Sequence, residues 1–257
     1  MSKGTFVELN RVVKSYGKGP IVLDNLNLKV QKNEFVSFIG PSGCGKSTLL
    51  KLLSGLSPVT GGAIVVDGMH PVNAREEMFF VFQEANLLPW LRVLSNVEIP
   101  MRIRGEEKHR RRTRAHEMVE LVGLKDAVRH FPWQLSGGMR MRVSIARALS
   151  VRPKILLLDE PFGALDEMTR DRLNEDLLWI REKDPFTAFF VTHSVAEAVF
   201  LSTKIVVLAA NPGRIADVIE VNFPFPRKAE VRESSAYLEI LAKATHSLRS
   251  VMEPSCI

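Results

Sequence analysis

Residues Gly40 to Thr48, GPSGCGKST, satisfy the pattern G-x-x-x-x-G-K-[ST], between the apolar run FVSFI and a leucine-rich stretch. Glycines at this spacing let backbone N–H groups turn inward around phosphate oxygens, and the start of the following helix adds partial positive charge. Lys46 would reach the β and γ phosphates of a nucleotide, and Ser47 would ligate Mg2+. Cys44 reads as a small filler inside the loop. A second run, KILLLDE, ends in adjacent carboxylates. Asp159 is placed to hold the metal shell, and Glu160 to polarise an attacking water. Gln83 and His193 each follow an apolar run and are candidate contacts to a γ-phosphate or a water. The stretch PWQLSGGMRMRVSIARAL, Pro132 to Leu149, sets a glycine pair before a basic helical pattern and so resembles a second phosphate loop.

These groups need a scaffold that gathers them. FVSFI (Phe35 to Ile39), MFFVF (Met78 to Phe82), ILLL (Ile155 to Leu158) and FFV (Phe189 to Val191) are short continuous apolar runs. Such runs suit strands buried on both faces of a largely parallel sheet. Gly40, Gln83, the Asp159–Glu160 pair and His193 all follow the C-terminal ends of these strands, the edge where open α/β sheets bind ligands. Leu26, Leu28 and Val30 alternate with Asn27 and Lys29, predicting a half-buried, antiparallel strand after the turn at Gly17, Gly19 and Pro20. Ala115, Met118, Val119 and Val122 keep helical spacing, as do Met139, Val143 and Ala146, so residues 84–150 are expected to form a mostly helical insertion. After Asn211 to Gly213, a tail containing FPFPR ends in an amphipathic candidate around Leu238 to Leu248.

The 257 residues, 46% hydrophobic and 25% charged, describe a globular chain. No apolar run approaches the ~20 residues that span a bilayer, and MSKGTFVELN lacks a secretory signal's apolar stretch, so a cytosolic location is expected. Cys44 and Cys256 form no metal-ligand spacing and no disulfide framework. The net charge of +6 favours an anionic partner. KHRRRTR, Lys108 to Arg114, reads as a solvated helix face, and the five other histidines (His70, His109, His116, His130 and His246) show no ligand spacing.

The order GPSGCGKS, Gln83, LSGG (Leu135 to Gly138), ILLLDEP, ALD (Ala164 to Asp166) and His193 resembles the ATP-binding subunit of ABC transporters, up to about Ile215. The resemblance implies an α/β fold: a phosphate-loop, RecA-like core (1–83 and 151–215) with an N-terminal antiparallel β subdomain, a helical insertion (84–150) and a C-terminal extension (216–257). It implies ATP hydrolysis with Mg2+. ATP would lie on Gly40, Pro41, Ser42, Gly43, Cys44, Gly45, Lys46, Ser47 and Thr48, with Tyr16 stacked on adenine. Ser47, Gln83 and Asp159 would serve the metal, and Glu160, His193, Gln83 and Lys46 the reaction. It further implies a head-to-tail homodimer in which Leu135, Ser136, Gly137 and Gly138 face the partner's ATP and Asp166 couples the two sites. Ser136 can cap the helix that follows, and the two glycines allow close approach to a γ-phosphate.

ANLLPWLRVLSNVEIPMRIRG, together with VVLAANPGRI, is similar to the ATPases of bacterial importers for nitrate, sulfonates and taurine. That likeness implies integral membrane permease subunits, whose coupling helix would meet Leu87 to Trp90; Leu87, Leu88 and Trp90 read alternatively as ordinary core residues of the insertion, and for Leu87 core is the preferred reading. It also implies an extracytoplasmic solute-binding protein, a peripheral place on the cytoplasmic face of the inner membrane, and no nucleic-acid partner. Met141, where such importers commonly carry Gln, and Ser194, where they carry Asp, depart from the pattern. The alternative is a soluble ABC-type ATPase acting on nucleic acid or the ribosome, which usually carries two ABC units or a long coiled coil; a phosphate-loop kinase would not need LSGG.

Overall fold

The computed structural model describes residues 4–163 and 165–252; Ala164 and Cys256 lie outside them. Two sheets share the chain. Strands β1 (Thr5–Ser15) and β2 (Ile21–Gln31) pair antiparallel, and β4 (Gly61–Val66) adds to the other edge of β1. The predicted alternation holds in β2, where Leu26, Leu28 and Val30 are buried and Asn25, Asn27 and Lys29 exposed.

The second sheet has six strands in the order β5 (Met78–Val81), β6 (Ile155–Asp159), β7 (Thr187–Val191), β3 (Phe35–Ile39), β8 (Lys204–Ala209), β9 (Arg214–Glu220). Its first five strands run parallel, and β9 returns antiparallel to β8. All residues of β3, β6 and β7 are buried, because both sheet faces are covered. Val36, Phe38, Leu157 and Phe189 face the antiparallel sheet and α1 (Lys46–Leu53). Phe35, Ile39, Leu156, Leu158 and Phe190 face the opposite core, shared with α2 (Val93–Ile103), α3 (Lys108–Leu121), α4 (Gly137–Ser150), α5 (Glu167–Lys183), α6 (Val195–Leu201) and α7 (Ser235–Met252).

Helices α2, α3 and α4 pack on one another. Ala115, Met118, Val119, Val143 and Ala146 are buried there at the predicted spacing. The basic run in α3 departs from a wholly solvated face. Arg111 is paired with Glu98 at 3.6 Å and Arg114 with Asp184 at 3.5 Å, with side chains only 20% and 19% exposed. Their stems cover apolar helix surface while the charges find carboxylates.

The boundary expected after Ile215 falls inside β9, so it cannot mark the end of the core: the edge of β8 needs a partner, and β9 supplies it. The segment after β9 is also fastened. Arg227, 3% exposed, donates to the carbonyls of Val199, Phe200 and Ser202 at 3.3, 2.8 and 2.8 Å, satisfying the end of α6. Burial, and then the charge of Arg181, pull its pKa down to about 10. Tyr237 donates its hydroxyl to the Ala196 carbonyl at 3.1 Å. The expected tail helix runs longer than 238–248, although Leu238 itself is 52% exposed.

Candidate active site

The loop after β3 turns directly into α1. Gly45 sits at φ +97°, and a Cβ there would lie 2.5 Å from Leu23 Cδ2, so only glycine fits this tight entry. Among the described residues no side chain caps α1, and its first turn carries no acid. Its leading N–H groups are therefore available to an anion. Lys46, 8% exposed, folds back over the loop and donates to the carbonyls of Gly40 and Pro41, both at 2.9 Å. Cys44 is fully buried, and burial pushes its thiol pKa up against the pull of Lys46, so it is protonated filler and not a nucleophile.

Ser47 Oγ donates to Asp159 Oδ1 at 2.9 Å, joining the start of α1 to the end of β6. Burial, reinforced by the charge of Glu160, pushes the Asp159 carboxyl above the usual range; the Ser47 hydroxyl and the charges of Lys51 and Lys46 pull it back. A hydroxyl and a desolvated carboxylate in contact form a hard oxygen donor set that suits a magnesium ion. Glu160 takes φ +46°, outside the strand, while its N–H still bonds Val191 O at 3.0 Å. That bend swings its carboxylate to 3.5 Å from His193 Nδ1, which follows β7. Side-chain exposures of 25% for Glu160 and 58% for His193 leave both open to a ligand.

Lys46, Ser47 and Asp159 thus meet in one place, and Glu160 meets His193. Gln83 does not join them by any hydrogen bond among the described residues. It lines a cleft of about 440 Å³ with Asn86, Leu87, Gly137, Arg140, Met141 and Leu165. Ser136 Oγ accepts from Met139 N at 3.2 Å and caps α4, so Gly137 and Gly138 open that helix. Asp166 caps α5, accepting from Thr169 N at 2.9 Å, and these hydrogen bonds hold its carboxyl below the usual range. Tyr16 follows β1, is 51% exposed, and has Lys14 Nζ over its ring at 4.7 Å.

Two supporting residues carried no motif. Asn96, fully buried in α2, accepts from Leu88 N at 2.8 Å and donates to Leu91 O at 2.9 Å. Arg147 of α4 donates to Asn86 O and Ala85 O, both at 2.9 Å. Together they fix the segment after Gln83. Leu87 packs partly on the core, whereas Trp90 is 68% exposed and is not a core residue of the insertion. Val93 N bonds His130 O at 2.9 Å, which brings the Trp90 segment beside Trp133, itself 65% exposed and stacked on Phe131.

Comparison with known proteins agrees with this geometry. The family model described as ABC transporter matches residues 23–163. An aliphatic sulfonates import ATP-binding protein, SsuB of Bacillus cereus, is 43% identical over 240 residues, covering 92% of this chain and 93% of that protein. The bicarbonate transport ATP-binding protein CmpC of Synechocystis is 43% identical over 251 residues, 95% of this chain and 38% of that protein. A solved dimeric structure of the ATP-binding cassette MJ0796 in a post-hydrolysis state, bound to ADP and Pi, superposes with a TM-score of 0.77 at 35% identity, over 85% of this chain and all of that one. The chain therefore belongs to the ABC transporter ATP-binding family, and it is an ATPase.

Proposed function

We propose that this ATPase energises import of a small anion, of the sulfonate or bicarbonate class, through membrane-embedded permease subunits. The observation that carries the reading is the separation of two anion-ready helix starts. The phosphate loop opens α1 and the signature glycines open α4, and among the described residues no hydrogen bond or ion pair joins the two. Two such starts in one chain suit two different ATP molecules in a head-to-tail homodimer, and the dimeric relative supports that assembly. The names of the relatives support the importer class.

In this reading Lys46 leaves the loop carbonyls for the β and γ phosphates, and Tyr16 stacks on adenine. Ser47, Asp159 and Gln83 would hold Mg2+, which would offset charge on the phosphate oxygens. Glu160 accepts a proton from the attacking water as the water oxygen bonds to the γ-phosphorus. The bond from that phosphorus to the bridging oxygen breaks, and its electron pair leaves with ADP. His193 contacts the γ-phosphate and orients Glu160. Ser136, Gly137 and Gly138 close over the partner's ATP, and Asp166 couples the two sites.

Trp90 and Trp133 are both exposed, and Leu87 and Pro132, close to them in sequence, line the Gln83 cleft, which supports docking of a permease helix there. An extracytoplasmic solute-binding protein would deliver the anion, and the chain would sit peripherally on the cytoplasmic face of the inner membrane. No described helix is long and apolar enough to cross a membrane. The pairing of Arg111 and Arg114 with carboxylates removes cations from the densest basic run, against a nucleic-acid role.

Lys46→Ala is expected to abolish ATP binding by the purified chain in a nucleotide-binding titration; retained affinity would overturn the phosphate-loop assignment. Glu160→Gln should bind ATP, hydrolyse it at least about a hundredfold more slowly, and accumulate an ATP-bound dimer on size exclusion. Wild-type turnover in that variant would remove Glu160 as the base.

A further inference from the structure

The signature glycines, the turn at Asp166 and His193 are joined by one line of contacts within a single chain. A Cβ on Gly138 would lie 3.0 Å from Leu165 Cδ2 and 3.7 Å from Thr169 Cγ2, so the start of α4 presses on the turn before α5. The Leu165 carbonyl accepts from Arg170 Nη2 at 2.9 Å. The same guanidinium turns Nε toward Glu197 Oε1 of α6 at 3.5 Å. The other Glu197 oxygen accepts a hydrogen bond from the Thr192 hydroxyl. Thr192 Oγ1 in turn accepts from Ser194 N at 2.9 Å, and Ser194 Oγ from Glu197 N at 3.3 Å. His193 is thereby held between two neighbours that Glu197 organises.

Glu197 is 6% exposed and Thr192 2%, so this carboxylate is far from water. Desolvation offsets most of the attraction in such a pair, which makes it a poor source of stability and a good means of fixing one element against another. Arg170 Nε and Glu197 Oε1 face each other, yet among the described residues neither has a hydrogen-bond partner. They are near enough to attract and too poorly aligned to bond, so a small shift of the first turn of α5 strengthens or breaks the contact.

We propose that Arg170 and Glu197 are positioning residues that transmit the state of the signature loop and the Asp166 turn, at one ATP, to His193 at the other. The proposal rests on the two-site dimer described above. It adds an intrachain link between parts of the cassette that serve different nucleotides.

The test is steady-state hydrolysis and ATP binding by the full chain, as wild type, Arg170→Ala, Arg170→Lys, Glu197→Gln and the Arg170→Ala/Glu197→Gln double variant. Arg170→Ala should lower kcat about tenfold with KM and ATP affinity within about twofold, the size expected for coupling between sites. Arg170→Lys should recover part of kcat, and the double variant should be no slower than the slower single one. A wild-type kcat in Arg170→Ala, a matching loss of ATP affinity, or losses that multiply in the double variant would overturn the link. Should Arg170→Ala fail to fold, a wild-type kcat in Glu197→Gln overturns it equally. A wild-type chain that hydrolyses no ATP overturns the ATPase reading and this inference with it, whereas an active wild type with an unaffected Arg170→Ala overturns the link alone.

Discussion

Asp166 caps α5 at the residue scale, and the coupling task proposed for it can be separated from that cap by experiment. As the cap of α5 it accepts from Thr169 N, which holds its carboxyl below the usual range. A depressed carboxyl pKa contributes stability that is fully present above the ordinary aspartate value and is lost as pH falls through the lowered one. Asn caps a helix about as well as Asp but does not titrate. Asp166→Asn should therefore keep the neutral-pH melting temperature and lose only the small Asp166 share of the acid limb of the stability curve, while Asp166→Ala melts lower at neutral pH. If Asp166 also couples sites across the dimer, Asp166→Asn should lose ATPase activity without losing Tm. Full activity in that variant would leave Asp166 as a cap alone. The placement of Lys46, Ser47 and Asp159 was legible because a fixed spacing on one loop, or a strand end, encodes it. Arg170, Glu197 and Asn96 were not, since each acts on atoms brought near only by the fold, and a lone Arg, Glu or Asn in a helix carries no local signal.

Single buried polar side chains fasten whole segments at the element scale. Arg227 serves three carbonyls at the end of α6 and lies over Phe225 at 4.2 Å. Replacing it with Met leaves those carbonyls buried without donors, so Arg227→Met should cost about 3 kcal/mol in urea unfolding. A loss below about 0.5 kcal/mol, the level of an ordinary surface change, would show that water replaces the guanidinium. Asn96 does similar work for the segment after Gln83. Asn96→Ala should speed protease cleavage within residues 85–92 ahead of global unfolding, and an unchanged cleavage pattern would assign that order to Arg147 instead. The parallel strands were legible as apolar runs, since burial on both faces leaves no room for alternation. The end of the core was not, because β9 shows alternating burial like any edge strand, and only its pairing with β8 makes it part of the sheet.

The whole molecule is where the signature loop acquires its meaning, because within one chain Gly137 has nothing to bind. It is exposed, and among the described residues a Cβ built on it meets only Arg140 Nη2 at 3.9 Å, so Gly137→Asp fits the isolated subunit without strain. An acid in the first turn of α4 even suits the helix dipole, so the variant should fold and melt like wild type. Facing a γ-phosphate, the same carboxylate repels, and hydrolysis should be lost. Lys46→Ala is inactive for a different reason, at the other half of a site. If each ATP is enclosed by the phosphate loop of one chain and the signature of the other, a dimer of one Lys46→Ala and one Gly137→Asp chain carries one doubly broken site and one intact site. Random pairing of equal amounts puts half the chains in mixed dimers, so the mixture should recover up to about a quarter of wild-type activity from two inactive preparations. Sites complete within single chains would give a mixture as inactive as its parts, and that result would return the glycine pair at Gly137 to a structural role.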